Sequence, residues 1–273
     1  MPGDGKAIPQ VNPGFIAQND KYLFFWVPIN ETTGTIIFYA RDSDGQYSEV
    51  NRITVPRMAG TSMTANSEWF VSFNGASRDV IFWQMDANHQ VVNSFTWDYQ
   101  NLSGWANSIH LRSNNDMVLQ DFTPQGHIIA IYPYSNGNWS TLPTDKIPCD
   151  AFAIFSITED RVASFNKTQK IVRIYAINGD HFTYLENVTV PFTIPEIGNV
   201  PCTYNGDDTI VFVYSPTKIG VMKKNETAWN AYIVNRPKDE DHMNSFFLWR
   251  GSDLYFSSMF NDRRMNVTTR KRF

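Results

Sequence analysis

Four aromatic residues stand just after turns at corresponding places along the chain: Tyr47, Trp139, Phe182 and Trp229. An aromatic face flanked by Asn, Glu and Arg meets the needs of a sugar ring. The apolar C–H face of the sugar packs on the aromatic ring, while its hydroxyls take hydrogen bonds. Glu49 and Arg173, close to such turns, are the charged candidates for those bonds. Packing between repeats would employ the same aromatic types, so recurrence at one rim is what favours binding.

Other chemistry has a thinner basis. A glycosidase needs two or three carboxylates converging on one pocket. The acidic stretch Asp239-Glu240-Asp241-His242 reads as a solvated loop, and Asp207-Asp208 reads as a turn. No Ser-x-Asp-x-Gly-x-Thr-Trp repeat of the sialidase kind is present. The five histidines, His89, His110, His127, His181 and His242, occupy unlike positions and form no evident metal set. Asp42-Ser43-Asp44-Gly45 with Glu49 faintly suggests a calcium loop, but it lacks the run of oxygen ligands Ca²⁺ requires and reads as a hairpin turn. No metal, cofactor or catalytic residue is expected.

These candidates are placed by a repeat. Ile37-Phe38-Tyr39, Ile81-Phe82-Trp83, Ile129-Ala130-Ile131-Tyr132, Val172-Arg173-Ile174-Tyr175 and Ile219-Gly220-Val221 are each followed by a turn rich in Asn, Asp and Gly. The turns recur every 42 to 49 residues. Four short strands per repeat of that length predict a β-propeller. In the first repeat the strands read Phe15–Gln18, Tyr22–Val27, Thr35–Ala40 and Tyr47–Val55, closed by Pro56. Proline closes several repeats, at Pro143, Pro191 and Pro237, where an edge strand tolerates a missing N–H. No run of about 10 residues or more has a 3.6-residue apolar period, so no helix is expected.

The last repeat supplies three strands, Phe246–Trp249, Leu254–Ser257 and Arg264–Thr268. Lys6-Ala7-Ile8-Pro9 resembles Ser140-Thr141-Leu142-Pro143 and is expected to add the fourth. The prediction is a single all-β domain, a six-bladed propeller of four-stranded antiparallel blades closed by its N-terminal strand. Its units run approximately over 15–56, 57–102, 103–148, 149–195, 196–237 and 238–273 plus 6–9.

Pro148-Cys149 and Pro201-Cys202 are read as opening the innermost strands of consecutive units. A disulfide between them is one reading and two buried thiols is the other, since matching positions on adjacent blades can exceed the usual Cα separation of about 7 Å. Seven Asn-x-Ser/Thr sequons occur. Those at Asn30, Asn101, Asn138, Asn166 and Asn225 fall in expected turns and are candidate glycosylation sites; those at Asn187 and Asn266 fall in expected strands. Turns favour Asn, Ser and Thr in any case.

The net charge of −4 over 273 residues gives no field that would draw nucleic acid. No apolar stretch has the length of a membrane span, so direct membrane insertion is not expected. The sequons favour an extracellular setting; the lack of a signal peptide at residues 1–20 keeps an intracellular one open. Oligomeric state is not legible.

Ile36-Ile37-Phe38-Tyr39-Ala40-Arg41-Asp42-Ser43-Asp44-Gly45-Gln46-Tyr47-Ser48-Glu49, on this repeat, resembles a blade of the six-bladed fungal fucose-binding lectins. That resemblance implies sugar held between blades by an Arg, a Glu and an aromatic residue. Only Arg173 fits the family's Arg, Glu49 is the match to its Glu, and Glu186 lies too far along to pair with Arg173. Fucose specificity is therefore not expected. The function expected is a non-catalytic recognition module for a glycan. The alternatives are a protein–protein scaffold within a larger extracellular assembly and a propeller-type glycoside hydrolase.

Overall fold

Aromatic and β-branched runs broken by Asn, Asp and Gly fold into small sheets of short antiparallel strands, most of them paired with their chain neighbours. The computed structural model describes residues 15–18, 22–30, 32–41, 47–56, 62–74, 79–98, 109–123, 126–149, 154–166, 168–193, 202–215, 218–235, 245–250, 253–259 and 265–272.

The first sheet comprises β1 (Phe15–Gln18), β2 (Tyr22–Pro28), β3 (Thr33–Arg41) and β4 (Tyr47–Pro56), and the second β5 (Ser62–Ala65), β6 (Trp69–Asn74), β7 (Asp79–Met85) and β8 (Val91–Asp98). The third holds β9 (Ile109–Leu111), β10 (Met117–Thr123), β11 (Gly126–Tyr132) and β14 (Asp145–Pro148), with a small hairpin, β12 (Tyr134–Ser135) and β13 (Asn138–Trp139), before its last strand. The fourth holds β15 (Ile154–Ile157), β16 (Arg161–Asn166), β17 (Ile171–Asn178) and β18 (His181–Thr189), and the fifth β19 (Cys202–Tyr204), β20 (Thr209–Ser215), β21 (Lys218–Lys224) and β22 (Trp229–Asn235). A sixth sheet has three strands, β23 (Ser245–Arg250), β24 (Asp253–Met259) and β25 (Met265–Arg272). Repeated meanders of this kind are the blades of a β-propeller.

The blade count corrects the sequence expectation. Among the described residues five four-stranded blades are present rather than six, and the sixth sheet shows the three strands of its own repeat. The strand expected from residues 6–9 lies outside the described residues. Its template, Ser140–Pro143, is loop between β13 and β14, so the likeness between the two segments assigns no strand.

The cause of that misreading is the inserted hairpin. Asn136 and Gly137 both adopt positive φ, 52° and 82°. That is the geometry of a tight two-residue hairpin, which Asn-Gly favours. The insertion moves the outer strand downstream to Asp145–Pro148, so Pro143 closes nothing and Cys149 follows an outermost strand, with its N–H donating to the His127 carbonyl at 2.9 Å. Cys202 does open an innermost strand, β19. The two cysteines are therefore not at matching positions, and their pairing lies outside the described side chains.

The described strands belong to two compact units. One spans Val11–Cys149 with Gly179–His181, the other Asp150–Asn178 with Phe182–Phe273. In the first unit the second sheet is buried on both faces. Phe70 and Trp83 pack with Phe24, Trp26, Ile36 and Phe38 of the first sheet, while Val71, Val80 and Phe82 pack with Leu119, Tyr132 and Trp139 of the third. Trp139, expected at a binding rim, is instead 4% exposed and stacks on Phe82 with ring centroids 3.8 Å apart. In the second unit Phe165, Ile174 and Val188 of the fourth sheet meet Tyr204, Phe212 and Met222 of the fifth.

Asparagine carboxamides close many of the turns. Asn66 Oδ1 accepts from the Glu68 and Trp69 amides, and Asn205 Oδ1 from those of Asp207, Asp208 and Thr209. Asn30 and Asn225, both in sequons, accept in the same way from Thr32 and Thr33 and from Thr227 and Ala228. Asn-x-Thr is thus a turn signature here.

Two outcomes are expected. Trp139→Ala should destabilise the protein by about 3–5 kcal/mol, as a large buried ring does, read from the urea midpoint. Asp208 accepts from Thr209 Oγ1 at 2.6 Å and Asn205 Nδ2 at 3.0 Å. Burial pushes its carboxyl up, but these bonds and Lys223 outweigh it and hold the group below its ordinary 3.8. A lowered carboxyl stabilises the fold fully above its ordinary value and loses the contribution as pH falls from there through its lower folded value. Asp208→Asn should therefore cost up to about 1 kcal/mol at neutral pH, limited by partial exposure, and nothing in strong acid.

Candidate ligand site between the first and second sheets

Among the described residues, the turn between β7 and β8 builds a candidate site. Asp86 Oδ1 accepts from the Asn88 and Gln90 amides, both at 2.8 Å, while the His89 amide donates to the Asp86 carbonyl at 3.2 Å. This folding places His89 at φ 64°, a left-handed conformation usually given to Gly but tolerated by His better than by most residues. A non-glycine residue held there is a structural outlier of the kind that gathers at binding sites.

The first sheet grips that turn. Asn51 Nδ2 of β4 donates to the His89 carbonyl at 2.5 Å, and Tyr22 Oη of β2 lies 2.5 Å from His89 Nδ1. The Tyr22 and His89 rings meet edge-on, with centroids 5.4 Å apart. Burial, followed by the nearby Asp86 charge, raises the Tyr22 phenol above its ordinary value, so it remains a hydroxyl at neutral pH.

A cavity of about 250 Å³ opens beside this contact. Tyr22, Phe24, Trp69, Phe70 and Met85 form its apolar walls, and Ser67, Glu68, Asp86 and His89 bring polar groups to it. Phe24 and Phe70 fix the wall by packing across the two sheets, with centroids 4.7 Å apart. Glu68 is held by Asn66, whose capped turn leads into β6; its Oε1 accepts from Gln84 and its Oε2 from Asn115. Asp86 Oδ2 and His89 Nε2 take no hydrogen bond from the described residues. The cavity therefore combines apolar walls with unspent polar capacity, the composition of a small-ligand pocket.

The six residues expected at a binding rim are placed elsewhere. Tyr47 begins β4, half-buried. Glu49 is engaged by Arg52, both of whose bonds measure 3.0 Å. Arg173 donates to Gln169 at 3.0 Å, and Phe182 is half-buried on β18. Trp139 is core. Trp229 alone joins a polar cluster: its Nε1 donates to Glu186 Oε2 at 3.1 Å, while Lys224 Nζ donates to Glu186 Oε1 at 2.5 Å and sits 5.8 Å from the indole centroid. Glu186 thus pairs with Lys224 across the fourth and fifth sheets.

Of the glycosylation candidates, Asn30, Asn138 and Asn225 are exposed, and Asn101 lies outside the described residues. Asn166 is buried, with Oδ1 accepting from the Gln169 amide at 2.7 Å, which corrects its expected accessibility. Among the described residues no group of His, Cys, Asp and Glu is placed to hold a metal, and no helix is long and apolar enough to cross a membrane. The calcium-loop candidate, Asp42–Gly45, and the acidic stretch 239–242 lie outside them.

Tyr22, Glu68, Asp86 and His89 were missed as site residues. Asp86-Ala87-Asn88 was legible as a turn, and the one available signal was the imidazole following it at a position where glycine is usual.

No protein-family model matches the chain, and no curated protein does. Among solved structures it is similar to a protein from Lactobacillus plantarum, with 12% identity and a TM-score of 0.60 over 98% of this chain and 86% of that one. It is also similar to the WD40 domain of Toxoplasma gondii coronin, with 10% identity and a TM-score of 0.56 over 98% and 75% of the two chains. A third is KlAtg21, solved in complex with the coiled coil of AgAtg16, with 8% identity and a TM-score of 0.54 over 96% and 85%. The likeness at this identity shows the fold, a β-propeller.

The positive φ at His89 yields a check on the site. His89→Gly should leave stability within about 1 kcal/mol of the parent, since the backbone strain relieved offsets the lost contact with Tyr22. His89→Val, with a β-branched side chain in the same conformation, should lower the melting temperature clearly.

Proposed function

We propose that this propeller is a non-catalytic recognition module that binds carbohydrate, one sugar ring at a time, in the cavity between its first and second sheets. The carrying observation is that the cavity sets the apolar Tyr22 and Met85 beside Asp86 Oδ2 and His89 Nε2, which have no hydrogen-bond partner among the described residues. Sugar recognition needs that combination, apolar faces for C–H groups and directional acceptors and donors for hydroxyls. The volume, about 250 Å³, suits one small ring.

Two carboxylates at one cavity also satisfy the first requirement of a glycosidase. A general acid, however, must be kept protonated, usually by burial in apolar surroundings. Glu68 is exposed and takes two amide hydrogen bonds on its oxygens. That apolar burial is missing at Glu68, which supports binding over hydrolysis.

A second reading, a protein-binding scaffold, draws on Tyr184 and Leu185 of β18 and Tyr232 and Ile233 of β22, which are exposed on outer strands. The similarity to KlAtg21, solved with a coiled coil, lends it support.

A glycan array followed by calorimetry separates the two. Under the first reading the protein binds a defined sugar, and His89→Ala weakens it by tenfold or more, about 1.4 kcal/mol. An array without binding, together with a protein ligand whose affinity falls in Tyr184→Ser and Tyr232→Ser, would replace the first reading with the second.

A further inference from the structure

Each sheet ends in an outer strand with no further strand beside it among the described residues. Such an edge can accept another strand, and proteins guard it with charge, proline, bulges or short length. Five of the six outer strands are guarded. β4 carries Glu49, Arg52 and Pro56, and the four residues of β14 include Asp145, Lys146 and Pro148. β18 carries His181 and Glu186, and β25 ends in Arg270-Lys271-Arg272. β8 ends at Asp98, and its pairing with β7 shifts register between Gln84 and Met85.

β22, Trp229-Asn230-Ala231-Tyr232-Ile233-Val234-Asn235, has none of these devices. It holds no charge and no proline, and its ladder with β21 runs without a shift from Lys224↔Trp229 to Lys218↔Asn235. Most of the strand is exposed, Tyr232 by 40% and Ile233 by 44%.

The turn before β22 fixes which of its backbone groups face outward. The Asn225 amide donates to the Ala228 carbonyl at 2.9 Å, so those two residues form a hydrogen-bonded pair. Antiparallel pairs alternate from there. Asn230, Tyr232 and Val234 therefore bond to β21, while Trp229, Ala231, Ile233 and Asn235 turn their N–H and C=O groups to the free edge.

We propose that this edge pairs with the same edge of a second copy of the chain, antiparallel about a two-fold axis at Tyr232. In that register Ala231 faces Ile233 of the second copy and Trp229 faces Asn235, so outward backbone groups meet outward backbone groups throughout. The two Tyr232 side chains stand directly opposite each other, at a non-hydrogen-bonded position where side chains come closest. The charges agree with this pairing. Glu226 precedes the strand and Arg236 follows it, so antiparallel copies bring opposite charges together at both ends and oppose no like charges along the strand. One strand is a small contact beside the roughly 1,200 Å² of a stable interface, so the dimer should form and dissociate with concentration. The proposal is independent of the carbohydrate reading.

Sedimentation velocity on the full chain, from about 1 µM to about 1 mM, tests it. The expected result is a monomer at the low end and a growing dimer fraction above it. Ala231→Pro removes an outward N–H and spares the bonds to β21, so it should abolish the dimer while the melting temperature holds. Tyr232→Lys and Tyr232→Glu set like charges opposite each other and should each weaken the dimer by at least about fivefold. An equimolar mixture of the two should recover it, and that recovery decides the matter even where Ala231→Pro fails to fold.

A chain that stays monomeric across the range would overturn the proposal. So would a dimer that the folded Ala231→Pro chain and both Tyr232 variants leave intact. Weakening by both charges without recovery in the mixture would overturn the two-fold axis at Tyr232.

Discussion

Each blade is a sheet only a few strands wide, and it becomes stable by covering its faces with neighbouring sheets. The second sheet shows how far that constraint reaches. Alternate residues of β6 point to opposite faces, so Phe70 joins the first sheet's aromatic layer while Trp69 and Val71 join the layer shared with the third. A strand buried on both sides cannot alternate polar with apolar, and Trp69-Phe70-Val71 accordingly reads as one continuous apolar run. The layers are mostly aromatic because large flat rings fill the gap between facing sheets, as in the stack of Phe82, Phe95 and Trp139. Even the cavity beside His89 belongs to this arrangement, since its Phe24–Phe70 wall is part of the first such layer.

Much of the fold was legible because a tight turn and a short strand each demand particular residues. Asn136-Gly137 and Asn178-Gly179 marked turns correctly, as the positive φ values of Gly137 and Gly179 confirm. The β3 run from Thr33 to Arg41 could be little else than a strand. What repetition could not reveal was a departure from itself. The small hairpin carrying Trp139 obeys the same local rules as the regular strands, so its aromatic residue looked like a rim position and the loop after it like an outer strand. Cys149 was misplaced with them.

The site was the least legible part. Tyr22, Glu68, Asp86 and His89 come from β2, the turn before β6, and the turn between β7 and β8, and each has an ordinary local explanation. They are joined by register and sheet stacking, which no spacing in the chain records. The sequons at Asn30 and Asn225 also serve backbone geometry, the carboxamide oxygen closing a turn on the amides that follow.

That habit of closing turns with asparagine has a chemical consequence. A carboxamide neither gains nor loses a proton between weak acid and weak alkali, so most of the connecting framework keeps its geometry while carboxylates and imidazoles titrate around it. The vulnerability lies in slow ageing instead. Loss of ammonia from an exposed Asn that precedes Gly, as Asn136 does, would introduce a permanent anionic residue, in part with a lengthened backbone, beside the slot that Trp139 fills.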